Sequence, residues 1–88
     1  MRYLLIYDIT HDGTRVKVAD ACLDYGLERV QYSAFLGDLK RTHQHELWAK
    51  IRQRIGKHAA VVHFIPLDDK SWAARHILDQ REEEELHV

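Results

Sequence analysis

Hydrophobic positions along the chain switch between two periods, and each switch marks a new element. Arg2 to Ile9 is apolar on both faces, which predicts a strand inside a sheet. Thr10-His11-Asp12-Gly13 is a turn cluster leading into a helix. On that helix Val18, Ala19, Cys22, Leu23 and Tyr25 recur at helical spacing, and Gly26 is placed to end it. From Leu27 to Leu36 the period becomes two. Even positions Val30, Tyr32, Ala34 and Leu36 are mostly apolar and odd positions Arg29, Gln31, Ser33 and Phe35 mostly polar, predicting one long strand with two different faces. Gly37-Asp38 reads as a turn or bulge before a short strand around Leu39 to Arg41. A second helix, from about Gln44 to Ile55, buries Leu47, Trp48, Ile51 and Ile55 and stops at Gly56. Ala60 to Pro66 is a third apolar run, with His63 expected in the core. Trp72 to Leu78 stays open between helix, favoured by Ala73-Ala74, and an extra C-terminal strand, favoured by alternation of Trp72, Ala74, His76 and Leu78.

Strand, helix, strand, strand, helix, strand is the order of an α+β, ferredoxin-like βαββαβ sandwich: an antiparallel sheet with two helices on one face and the other face open. The odd set of the long strand is expected on the open side, where Phe35 is costly to expose unless a partner covers it. At 88 residues the chain is read as one domain, residues 1–80, with an acidic tail over 81–88. So small a core gains from self-association, and a homodimer is expected. A single cysteine, Cys22, rules out an internal disulfide and sits on the apolar side of its helix. With no signal-like segment and no apolar stretch of membrane-spanning length, the expectation is a soluble cytoplasmic protein that needs no membrane.

The formal net charge of -1 hides a gradient. Between Lys40 and Lys57 six basic residues face one acid, Glu46, whereas Asp79 and Glu82 to Glu85 make the end acidic. A solvated helix face and a nucleic-acid surface both fit this charge pattern.

Three blocks carry a more specific signal: Tyr7-Asp8-Ile9-Thr10, then Arg15-Val16-Lys17-Val18-Ala19, then Tyr25 to Gly37 with Val30-Gln31-Tyr32-Ser33-Ala34-Phe35 inside it. In wording and spacing they closely resemble the CRISPR-associated protein 2 family over the first half of the chain. The second half resembles it in element order, with Phe64-Ile65-Pro66-Leu67 where a strand ending in Pro-Leu is often found. The resemblance implies a ferredoxin-like homodimer acting in spacer acquisition with the integrase, CRISPR-associated protein 1. It also implies a magnesium-dependent endonuclease of endoribonuclease type, acting on RNA or duplex DNA. By position Asp8 falls on the family's metal-binding carboxylate. Tyr7 and Ser33 fall on positions tied to activity, and Arg15, Lys17, Arg29 and Phe35 on positions tied to nucleic-acid contact. His11 departs from the usual Asp or Ser, Ala34 from a usual Val, and Leu36 from a frequent Glu.

Asp8 ends an apolar strand at the rim of a sheet, where a carboxylate either accepts backbone N–H bonds or meets a hard cation. Magnesium or manganese needs oxygen ligands, so one carboxylate is thin; a two-fold dimer that apposes both Asp8 residues would make one shared site. Arg15, Lys17 and Arg29 would hold phosphates, and Phe35 would stack on a base or pack in the dimer. His43 and His45 lack a third ligand, and His11 is the one group near Asp8 suited to proton transfer. The alternatives to a nuclease are a non-catalytic DNA-binding adaptor bridging integrase dimers and a toxin-like RNA interferase on the same fold. A small-molecule sensor has no ligand motif to support it.

Overall fold

Alternation within the first strand organises the molecule. In the computed structural model, which describes residues 1–81, Arg2–Ile9 forms β1 and pairs antiparallel with strands on both sides. Helix α1 spans Asp12–Asp24, β2 Glu28–Gln31, β3 Ala34–Asp38, α2 Arg41–Ile55 and β4 Ala60–Leu67. The sheet order β2-β3-β1-β4, antiparallel throughout, is the ferredoxin-like arrangement expected from the order of elements.

Leu5, Tyr7 and Ile9 point to the helix side and are buried. Leu5 lies opposite both Phe35 and Phe64, and this layer packs against Val18 and Cys22 of α1 and Leu47 and Ile51 of α2. Leu4, Ile6 and Asp8 point to the other side, with Leu36, Val61 and Ile65 beside them; α1 and α2 leave that face open, and the segment after β4 borders only its Leu4, Leu36 and Leu67 end. Burial pushes the Cys22 thiol up to about 12, so it is packing material and not a nucleophile.

Gly26 ends α1 as foreseen, and its φ of 82° shows why glycine is needed. Its N–H bonds to the Leu23 carbonyl while the Leu27 N–H reaches back to Cys22, a Schellman closure that turns the chain straight into β2.

Several expectations are corrected. The stretch Leu27 to Leu36 is two strands: a bulge between Arg29 and Gln31 shifts the register, and Tyr32-Ser33 turns the chain back as a hairpin. Phe35 is therefore opposite Leu5 and Arg29, fully buried on the helix side and not on the open face. Gly37 is neither turn nor bulge. It lies within β3, where an added Cβ would come 2.8 Å from Leu27 Cδ2. No strand forms around Leu39 to Arg41; Leu39 is buried, and α2 begins at Arg41, three residues ahead of the expected start. His63 is exposed opposite Ile6, because β4 is an outer strand whose even residues Ala60, Val62 and Phe64 lean on the core while His63 points to the open face. Trp48 is half-buried, stacked on Phe64 with ring centroids 5.9 Å apart.

After β4 a short helix α3, Asp69–Ala73, is capped by Asp68, whose carboxylate accepts the Ser71 N–H. Arg2 and Arg75 both lie over the Trp72 ring, at 4.5 and 3.6 Å, which anchors α3 to the start of β1. Residues 75–81 form no extra strand; they border a groove of about 670 Å³ floored by Leu4, Leu36 and Leu67, with Ile77 and Leu78 exposed on its other side. The rest of the acidic tail, 82–88, lies outside the described residues. Among the described residues no helix is long and apolar enough to cross a membrane.

Candidate carboxylate site and nucleic-acid interface

One end of the sheet gathers the exit of β1, the start of β4, the Tyr32-Ser33 hairpin and the first turn of α1. The Tyr7 N–H donates to the Ser33 carbonyl at 3.0 Å, fixing the hairpin against β1. Arg15 donates to the Ile9 carbonyl at 3.0 Å and pairs with Asp12, tying the end of β1 to the helix. Hydrogen bonding to Asp12 raises the already high pKa of Arg15.

Asp8 is exposed on the open face opposite Val61, and its carboxylate makes no hydrogen bond or ion pair among the described residues. Its role as a mere acceptor of local backbone N–H groups therefore has no support. Among the described residues no three His, Cys, Asp or Glu side chains come together as a metal cluster. A magnesium-like cation at Asp8 would need further oxygen ligands from water, substrate phosphate or a second chain.

Neighbours in the motif part company here. Tyr7 points to the helix side, 6 % exposed, with its ring against Phe35 at 6.2 Å and a buried hydroxyl that has no hydrogen-bond partner. Burial raises the Tyr7 pKa, and the Arg29 charge partly offsets this. Asp8 is on the opposite surface, so the two do not form one site in a single chain. Ser33 is half-buried in the hairpin turn. Arg15 and Arg29 converge on Tyr32, with guanidinium carbons 5.7 and 5.9 Å from its ring centre. Lys17 is exposed two residues along α1 from Arg15, about 200° around the helix, and does not join them. Its carbonyl instead accepts from Arg54 of α2 at 2.7 Å.

His11 has a role that its sequence position hid. It is the N-cap of α1: its Nδ1 accepts the Thr14 N–H at 3.1 Å and lies 2.8 Å from the Thr14 hydroxyl. Accepting a backbone N–H requires a bare Nδ1, which assigns the ring proton to Nε2. The ring also stacks on His58, centroids 4.0 Å apart, joining the β1–α1 turn to the α2–β4 turn. His11→Ala should cost about 1 kcal/mol of stability and His11→Asn much less, measured by chemical denaturation. Equal stability of the alanine variant would show that the cap carries no weight.

Both the sequence and the fold have known relatives. The family model described as CRISPR associated protein Cas2 matches residues 1–75. The protein named CRISPR-associated endoribonuclease Cas2 2 from Chloroflexus aurantiacus is 53 % identical over 81 residues, 92 % of this chain and 95 % of that one. The CRISPR-associated endoribonuclease Cas2 of Desulforudis audaxviator is 44 % identical over 70 residues, 80 % of this chain and 66 % of its own. A chain solved as part of a partial Cas6-RT-Cas1–Cas2 complex superposes with a TM-score of 0.76 at 30 % identity, covering 88 % of this chain and 83 % of that one. Cas2 of Streptococcus pyogenes shares the fold, with a TM-score of 0.76 at 24 % identity over 90 % of this chain and all of that one. With a family model matched over most of its length and relatives this similar, the chain belongs to the CRISPR associated protein Cas2 family.

Proposed function

We propose that this protein is the Cas2 subunit of CRISPR spacer acquisition: a homodimer that binds nucleic acid, docks the Cas1 integrase and carries a divalent-metal-dependent endonuclease centre made by two Asp8 residues. The observation that supports the catalytic part is Asp8 itself, an exposed carboxylate that has no hydrogen bond or ion pair among the described residues and stands on the sheet face that α1 and α2 leave open. Burying Leu4, Ile6, Leu36 and Ile65 against a second copy removes that surface from water and brings the two carboxylates towards a common axis. Held apart from solvent they repel one another, and a cation between them relieves the repulsion. Magnesium or manganese bound there would supply Lewis-acid stabilisation of charge on the scissile phosphate. Arg15 and Arg29 grip flanking phosphates through guanidinium N–H groups.

The scaffold reading also has support. The arginine pair clusters at the hairpin on the helix side, whereas Asp8 is on the open face, so binding need not depend on the carboxylate. Similarity to a chain from a Cas1–Cas2-containing complex supports docking to an integrase.

Removing the metal tests the two parts together. With purified protein, cleavage of RNA or duplex DNA should require magnesium or manganese and stop in EDTA, while binding survives EDTA. Binding should weaken with salt, with a log–log slope of about -3 to -4 on duplex DNA if Arg15 and Arg29 of both chains contact phosphates. Cleavage that continues in EDTA would reject the metal centre, and salt-independent affinity would reject the phosphate contacts.

A further inference from the structure

The β2–β3 hairpin displays Tyr32 at its tip, 59 % exposed, although tyrosine is large enough to be worth burying. The Arg15 guanidinium donates towards its hydroxyl, an interaction that helps raise the Arg15 pKa. What surrounds the ring is positive charge: Arg15 at 5.7 Å and Arg29 at 5.9 Å from its centre. Both cations are held in place. Arg15 is tied to the Ile9 carbonyl and to Asp12, and Arg29 lies over the buried Phe35 ring at 5.1 Å. The hairpin thus presents a flat apolar surface between two positioned cations.

We infer that Tyr32 is a stacking platform for an unpaired nucleobase whose neighbouring phosphates are held by Arg15 and Arg29. This rests on the nucleic-acid-binding reading above and adds a substrate feature to it. A small anion would engage the guanidinium groups and leave the ring idle. An apolar peptide would cover the ring and leave Arg29, which has no carboxylate partner among the described residues, without an anion. A nucleotide carries a flat ring and a phosphate together, which matches both halves of the cluster. Within a duplex each base already has neighbours on both faces, so the platform discriminates in favour of single strands, loops and frayed ends. Any base has a π-face, so the contact is tolerant of sequence. The stacking role expected of Phe35 moves to Tyr32, the aromatic of the same strand pair that solvent reaches.

The test compares binding of a short oligothymidylate with that of an abasic phosphate backbone of equal length, at low salt, for the wild type and for Tyr32→Ala, Tyr32→Leu and Tyr32→Phe, with thermal melting measured alongside. In the wild type the bases should raise affinity about 5- to 100-fold. Alanine and leucine should remove that advantage, phenylalanine should keep it, and the salt slope should be the same for all four. Leucine separates aromatic stacking from apolar bulk. The inference is overturned if the alanine and leucine variants keep the wild-type advantage, or if the wild type binds both strands equally. A wild type that binds neither strand at low salt overturns the nucleic-acid reading itself.

Discussion

Replacing Asp8 with alanine should reduce metal-dependent cleavage by about a thousandfold, the scale of losing a preorganised charge-stabilising group. In the proposed dimer the change would remove both carboxylates of the shared site, since a symmetric dimer carries each substitution twice. Folding should be untouched: Asp8 is exposed and has no internal partner, and without metal the loss of carboxylate repulsion should leave the melting temperature equal or slightly higher. Spacer integration by the complex with Cas1 should persist, because the adaptor role proposed here draws on Arg15 and Arg29 and not on this carboxylate. Wild-type cleavage by Asp8→Ala would remove the nuclease assignment from this carboxylate. Integration lost in a folded, DNA-binding variant would instead make Asp8 part of the adaptor function.

Phe35→Ala should destabilise the fold by about 3–5 kcal/mol, the range for truncating a buried aromatic ring. Phe35 has no exposed surface, faces Leu5 across the β1–β3 pair and stacks against Tyr7. Such a loss is a large fraction of the roughly 5–15 kcal/mol that stabilises a small domain. Urea denaturation should show a lower midpoint with an unchanged slope. A variant of normal stability that had lost nucleic-acid binding would return Phe35 to the surface.

The βαββαβ order was legible because runs of period two and stripes of period 3.6 were separated by glycine and turn clusters. Where the chain disagreed with its own punctuation, the reading failed. The hairpin at Tyr32-Ser33 contains no Gly, Pro, Asn or Asp, and the bulge before it changes register without interrupting the alternation. The two effects together carried Phe35 from the expected open face into the core. Gly37 sent the opposite false signal, since it is required by the close approach of Leu27 and not by a turn. Helix α2 begins after Lys40, which provides no side-chain cap, so its first turn had no marker to read.

The candidate site was legible as a set of residue types and not as a place. Tyr7 and Asp8 are adjacent in the motif, and a strand sends adjacent side chains to opposite faces. Substitution at Tyr7 therefore acts first through packing, with Phe35 and the buried hydroxyl as its surroundings, whereas substitution at Asp8 acts through chemistry. Arg15 and Arg29 meet around Tyr32, an aromatic that the strand pattern had counted as an ordinary apolar position, and Arg29 does so on the helix side, opposite Phe35, and not on the open face where the same pattern had placed it.

Strand β4 is the last member of the sheet, and within the described residues nothing pairs with its outer edge. Alternate residues of this eight-residue strand turn their backbone donors and acceptors outward, and Pro66, the one residue of the strand with no N–H, stands near its end. Such an edge is a template for strand addition, and a proline close to one end shortens it without closing it. A second copy or an integrase segment that adds a strand there would do more than contribute affinity. It would cap a growth point, so that assembly protects the free chain from stacking edge to edge into fibres.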